Sequence, residues 1–161
     1  LLFVLGINSG LRISDLLALR LSDVVDAKGK VKETVSIRER KTDKVKMFRL
    51  NGIATKDIAP YVAALDKPLN LDAPLFPSRK GKGAISRVQA WEILNEAAHA
   101  VGLEEIGTHT LRKTFGYHAR KRGVGIELLQ VIFNHSSPAV TKRYLGITQD
   151  EIDEVYMTLN L

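Results

Sequence analysis

The sequence predicts a mostly α-helical α+β fold with a small three-stranded antiparallel sheet, and three observations carry that expectation. Apolar residues recur at helical spacing near the start of the chain and again from Gly52 onward. Between Val24 and Leu50 they give way to short β-branched runs parted by turn residues. Glycine, serine and proline then punctuate the helical part at positions that suit caps, notably Ser86, Gly123, Ser137-Pro138 and Gly146. The 161 residues suit one domain spanning 1–161.

Residues 1–8 read as the end of a buried helix stopped by Ser9-Gly10, and 12–19 as a second helix offering Leu16, Leu17 and Leu19 to the core. Val24-Val25, Val31 with 35–37, and 45–50 read as strands. The turns at 26–30 and 41–44 would join them into a meander. Gly52 to Leu65 follows as a helix, and Pro68, Pro74 and Pro77 mark a connection leading to a basic loop at 78–83. Ser86 is expected to cap a helix to about Val101, its apolar side formed by Val88, Trp91, Ile93, Leu94, Ala97 and Ala98. Thr108 is expected to cap the next, which carries His109, Arg112 and Phe115 and ends at Gly123. A short apolar helix at 126–133 precedes one opened by Ser137-Pro138, carrying Tyr144 and closed by Gly146. The tail 149–161 is amphipathic through Ile152, Val155, Tyr156 and Leu159.

The absence of cysteine excludes disulfides, thiolate metal sites and cysteine nucleophiles. A formal charge of +6 favours a polyanionic partner. The longest apolar run, Leu1–Leu5, is far too short for a membrane span and lacks a basic leader. The chain opens inside an apolar helical pattern without an initiator methionine, so it reads as a piece excised from a longer protein.

The chemistry-bearing residues cluster late. His109, Arg112, His135 and Tyr144 follow one another closely, with Arg12 and Lys41 far upstream. A phenol, with an ordinary pKa of about 10, is a poor nucleophile at neutral pH. It becomes effective when cations and imidazoles converge on its electrophile, and an electrophile suited to so many positive donors is a phosphodiester. Arginines grip its oxygens through paired hydrogen bonds and stabilise the charge that grows on them. The leaving oxygen needs a proton and the phenol must lose one. Two arginines, two imidazoles, a lysine and a tyrosine meet these needs with neither a metal nor another cofactor. His109 and Arg112, three apart, are expected on one helix face.

These residues resemble the catalytic domain of the tyrosine recombinases, the phage integrase family. The likeness runs through Gly10-Leu11-Arg12-Ile13-Ser14-Asp15, the Lys41-Thr42 turn, His109-x-x-Arg112, His135, Ser136 to Thr141, and Tyr144. It implies the DNA breaking-rejoining fold. It also implies that Arg12 and Arg112 bind the scissile phosphate, Lys41 protonates the leaving hydroxyl and His109 acts as acid/base. His135 would donate to the phosphate and Tyr144 form a 3′-phosphotyrosyl bond, so neither ATP nor a metal is needed. Lys44 competes with Lys41, which is preferred through the family pattern. Asp15 would support an arginine from behind. Asn134 stands where the family usually has glycine.

Further DNA contacts are expected from Arg38, Arg40, Arg79, Lys80, Lys82, Lys113 and Lys142. The resemblance further implies a double-stranded DNA partner at recombination sites. It implies a homotetramer on DNA, a monomer without DNA, and N-terminal core-binding and arm-binding domains outside this chain; the tail 149–161 either packs on its own domain or docks on a neighbouring protomer to hold that tetramer. The setting would be cytoplasmic and nucleoid-associated, in a bacterial or phage-infected cell. The rival readings are a type IB topoisomerase, a catalytically silent DNA-binding module of the same fold, and a plain helix-turn-helix domain.

Overall fold

The computed structural model describes residues 1–81, 83–104, 106–107, 109–146 and 156–158. Thr108 as a cap, Lys82 as a DNA contact, and residues 149–155 and 159–161 of the tail lie outside them. The chain divides into two compact units, Leu1–Phe115 and Gly116–Leu161, the division falling within one helix.

The first unit opens with α1 (Leu2–Ser9), an apolar helix that ends at Gly10 in the left-handed region, φ 60°. Glycine is required there twice over, by that angle and because an added Cβ would stand 2.9 Å from the Phe115 ring. The expected helix over 12–19 is instead the single short α2 (Ile13–Leu16), and a further short helix, α3 (Leu21–Val24), follows beyond it. The backbone of 19–22 turns aside to pair with 71–75: Leu75 N–H donates to the Leu19 carbonyl at 2.8 Å and Leu21 N–H to that of Ala73 at 3.0 Å.

Strands β1 (Thr34–Arg38) and β2 (Val45–Arg49) pair antiparallel in the register Val35↔Phe48 and Ile37↔Lys46. The expected third strand is absent among the described residues, so the sheet has two strands. Val24 closes α3, and Val25 meets Val31 only as an isolated bridge. The Asp26 carboxylate takes the amides of Lys28 at 2.8 Å and Lys30 at 2.9 Å, which holds that segment as a tight turn rather than a ladder.

Helices α4 (Gly52–Ala63) and α5 (Arg87–Ala100) follow, α5 opened by a capping box between Ser86 and Gln89. The face of α5 that is buried is Ala90, Leu94, Asn95 and Ala98, while Val88 and Ile93 are exposed at 63% and 48% and Ala97 also faces solvent. The reason is polar: Asn95 accepts from the Ile106 amide at 2.7 Å and donates to its carbonyl at 2.9 Å, and this pair sets the helix's rotation. Leucines and valines from α1 to β1, α4, Leu75 and Leu111 form the core of this unit. Helix α6 (Thr110–Lys121) carries Arg112.

In the second unit α7 (Ile126–Phe133) and α8 (Pro138–Leu145) form a hairpin. Leu129, Phe133 and Thr141 are its buried residues. Gly116 permits close approach, since a Cβ there would meet Leu145 and come within 2.8 Å of Phe133. Ser137 caps α8 through the Val140 amide and Gly146 ends it at φ 70°. Of the tail, Tyr156, Met157 and Thr158 are helical and exposed. Among the described residues no helix is long and apolar enough to cross a membrane.

Candidate active site

Two cations of the first unit converge on one backbone carbonyl. Arg112 is buried and donates to the Gly10 carbonyl at 2.7 Å, across 102 residues of sequence. Lys46 reaches the same oxygen at 3.4 Å. Arg12, two residues beyond Gly10, pairs with the fully buried Glu39 carboxylate at 2.9 Å and lies 3.9 Å from Asp15. Three cations and two carboxylates thus form one cluster with an excess of positive charge. Burial first, then repulsion from Arg112, lowers the Lys46 ammonium from 10.5 to about 8, opposed by the pull of Glu39.

The same carboxylates hold the turn between the strands. Asp15 accepts from the Arg40 amide at 2.9 Å, and Glu39 accepts from the Thr42 hydroxyl at 2.7 Å. Lys41 stands between these two anchors, with its side chain exposed. Asp15 thus lies beside Arg12 and, through the Arg40 amide, anchors the turn that carries Lys41.

His109 departs from the expected placement. It precedes α6, with its carbonyl accepting from the Lys113 amide at 2.9 Å and its side chain exposed, while Arg112 faces the core. The two therefore do not share a helix face, because His109 occupies the cap position rather than the first turn.

The second unit holds His135 and Tyr144. Asn134 adopts φ 50°, and the amides of Asn134 and His135 donate to the carbonyls of Val131 and Gln130 at 3.0 and 3.1 Å. This is the glycine-type helix stop made by asparagine, the residue that best tolerates that conformation after glycine. The stop aims His135 at α8, where its Nδ1 lies 3.1 Å from the Thr141 hydroxyl. Tyr144, the penultimate residue of α8, is half-buried with its hydroxyl out of solvent contact. Its ring lies edge-on to His135 at 5.2 Å and to Phe133 at 5.6 Å.

Arg12, Asp15, Lys41 and Arg112 are therefore brought together in one unit, and His135 with Tyr144 in the other. Of the expected DNA contacts, Arg40, Arg79, Lys80, Lys113 and Lys142 are exposed. Arg38, also exposed, is engaged with the Asp43 carbonyl at 2.8 Å. Glu39, Lys46 and Thr141 escaped the sequence reading. Glu39 carried a signal, being a lone carboxylate inside the run Arg38-Glu39-Arg40-Lys41. Lys46 carried none, since strand alternation would sooner bury Val45 and Met47, which are exposed at 59% and 68%.

Known proteins resemble this chain in both sequence and fold. The phage integrase family matches residues 1–151. The chain is 46% identical over 155 residues to the probable integrase/recombinase YoeC of Bacillus subtilis, covering 96% of this chain and 81% of that protein. It is 31% identical over 159 residues to the tyrosine recombinase XerC of Thermodesulfovibrio yellowstonii, covering 92% of this chain but only 50% of that one. Among solved structures, XerA recombinase superposes with a TM-score of 0.75 at 21% identity, over 98% of this chain and 57% of its own. The catalytic domain of bacteriophage HP1 integrase superposes with a TM-score of 0.56 at 20% identity, over 98% and 80%. XerH bound to its palindromic difH substrate in a post-cleavage complex gives 0.69 at 22% identity, over 98% and 44%. These three structures share the fold, and the family match with the YoeC likeness fixes the kinship: the chain belongs to the phage integrase family of tyrosine recombinases.

Proposed function

We propose that this chain is the catalytic domain of a site-specific recombinase that cuts and rejoins DNA strands by transesterification. The observation that supports this most is the bond from the buried Arg112 to the carbonyl of Gly10, two residues before Arg12, which suits a pair of arginines serving one phosphodiester. Tyr144 Oη attacks the phosphorus, the P–O5′ bond breaks, and a 3′-phosphotyrosyl bond takes its place. Lys41 gives its proton to the leaving 5′-oxygen, and His109 accepts the phenol's proton. Arg12, Arg112 and His135 donate to the non-bridging oxygens as negative charge builds there. A second attack, by the 5′-hydroxyl of a partner strand, reverses the step and releases Tyr144. One phosphoester replaces another at each stage, so no ATP is consumed. The chemistry requires Tyr144 and both arginines to reach the same phosphorus, and the buried phenol to be delivered to it.

Double-stranded DNA is the substrate, with Arg38, Arg40, Arg79, Lys80, Lys82, Lys113 and Lys142 gripping its backbone in a salt-dependent manner. Four protomers act together on DNA, each lending its tail 149–161 to a neighbour, and the protein is a monomer without DNA. The experiment incubates the full-length protein with nicked duplexes randomised across the cleavage region, which trap a covalent adduct by losing the short downstream fragment that bears the new 5′-hydroxyl. Wild type should form an adduct and Tyr144→Phe none. An adduct with Tyr144→Phe would refute the nucleophile assignment. Exchange between two labelled duplexes, rather than relaxation of one supercoiled circle, separates recombinase from topoisomerase.

A further inference from the structure

Glu39 is a fully buried carboxylate with work at both oxygens and at its backbone. Its Oε1 meets Arg12 at 2.9 Å and its Oε2 accepts from the Thr42 hydroxyl at 2.7 Å. Its amide donates to the Lys44 carbonyl and its carbonyl accepts from the Asp43 amide, both at 2.9 Å. Asp43 closes the turn in the left-handed region at φ 54°. Every residue from 39 to 44 except Lys41 is therefore fixed by one of these bonds or by the Asp15–Arg40 bond.

A hairpin turn needs no buried charge for its own stability. Replacing a buried ion pair with apolar residues of similar volume is often neutral or stabilising. What a carboxylate adds here is a rigid link between two cations with different tasks. Arg12 would hold a non-bridging oxygen while Lys41 protonates the leaving oxygen of the same phosphodiester. General-acid catalysis fails if donor and leaving oxygen are misplaced by a fraction of an ångström to one ångström.

We propose that Glu39 is a positioning residue that sets Lys41 in register with Arg12 for protonation of the leaving 5′-oxygen. The proposal rests on the recombinase reading above. Its readout is leaving-group dependence. A duplex with sulfur in place of the bridging 5′-oxygen expels a thiolate, which leaves without needing a proton. Wild type, Glu39→Gln, Thr42→Val, Lys41→Ala and Arg12→Ala are compared for adduct formation on the oxygen and sulfur substrates, after urea unfolding confirms that each variant is folded.

On the oxygen substrate Glu39→Gln should slow cleavage roughly 10- to 100-fold, a fraction of the full general-acid contribution. On the sulfur substrate it should return to within about 3-fold of wild type, as Lys41→Ala does, whereas the Arg12→Ala defect persists on both. Thr42→Val breaks the Glu39–Thr42 bond while leaving the Glu39–Arg12 ion pair in place. It should show a smaller defect that sulfur also relieves, and it carries the test alone if Glu39→Gln does not fold. A Glu39→Gln or Thr42→Val defect that sulfur leaves unchanged overturns the proposal, as does no defect at all. Failure of the parent reading looks different: wild type then forms no adduct on either substrate. Failure of sulfur to relieve Lys41→Ala removes the acid role of Lys41, and Glu39's positioning role with it.

Discussion

Arg12 and Glu39 meet at 2.9 Å with the carboxylate wholly buried and the arginine side chain 15% exposed. Such a pair contributes little relative to an apolar replacement, but removing one partner strands the other charge. Glu39→Ala is accordingly expected to lower the unfolding free energy by about 3–5 kcal/mol. Glu39→Gln, which keeps the hydrogen-bonding shape, should cost less. Urea denaturation of the two variants checks this, and equal stability of Glu39→Ala and wild type would refute the buried pair.

Lys46 gives a pH signature. Its pKa in the folded protein is about 8 against an ordinary 10.5, chiefly through burial. Between those values the unfolded chain binds more protons than the folded one, so stability from this residue rises with pH across that window. Below about pH 8 the folded state bears the full penalty of the buried charge, on the order of 3 kcal/mol. Lys46→Met should remove that slope and match or exceed wild-type stability at pH 7. Unfolding free energies at pH 7 and pH 10 for both proteins provide the measurement, and parallel changes in the two would contradict the assignment.

Asn134 tests the helix stop that aims His135. Asn134→Gly should leave stability within a few tenths of a kcal/mol, because glycine adopts φ 50° freely. Asn134→Ala should cost about 1 kcal/mol, since alanine resists that conformation. Thermal unfolding decides it, and an alanine variant as stable as wild type would mean that the left-handed stop is not held in solution.

Thr141 holds the ring of His135 through Nδ1 at 3.1 Å. Thr141→Val keeps the buried volume and removes that bond. Adduct formation should fall about 10-fold, the rate equivalent of one hydrogen bond of roughly 1.4 kcal/mol lost in the transition state. An unchanged rate would show that Thr141 does not orient His135 in the reacting state.

How far the sequence disclosed this molecule depends on the range of the forces involved. Local signals were reliable: Ser86, Ser137-Pro138, Gly10 and Gly146 mark helix ends as capping chemistry dictates. Elements shaped by partners distant in sequence were misread. The helix expected over 12–19 breaks because 19–22 finds backbone partners at 71–75, and the third strand is lost to the side chain of Asp26. Asn95 turned α5 away from its apparent apolar side for the same kind of reason, through Ile106. In the site, Arg12, Lys41, Arg112, His135 and Tyr144 were legible as residue types in a recognisable order. Glu39 and Lys46 were not, because a buried charge is defined by what surrounds it, and nothing in strand alternation favours a lysine over Val45 or Met47.

The most direct test is the identity of the residue joined to DNA. The adduct formed on the nicked duplexes is digested with nuclease and trypsin and analysed by tandem mass spectrometry. Cleavage after Arg143 yields a peptide beginning at Tyr144 that also contains Tyr156, so fragmentation must distinguish the two. The nucleotide remnant is expected on Tyr144 as a 3′-phosphotyrosyl ester. A remnant on Tyr156, on Tyr117 or on any serine would contradict it.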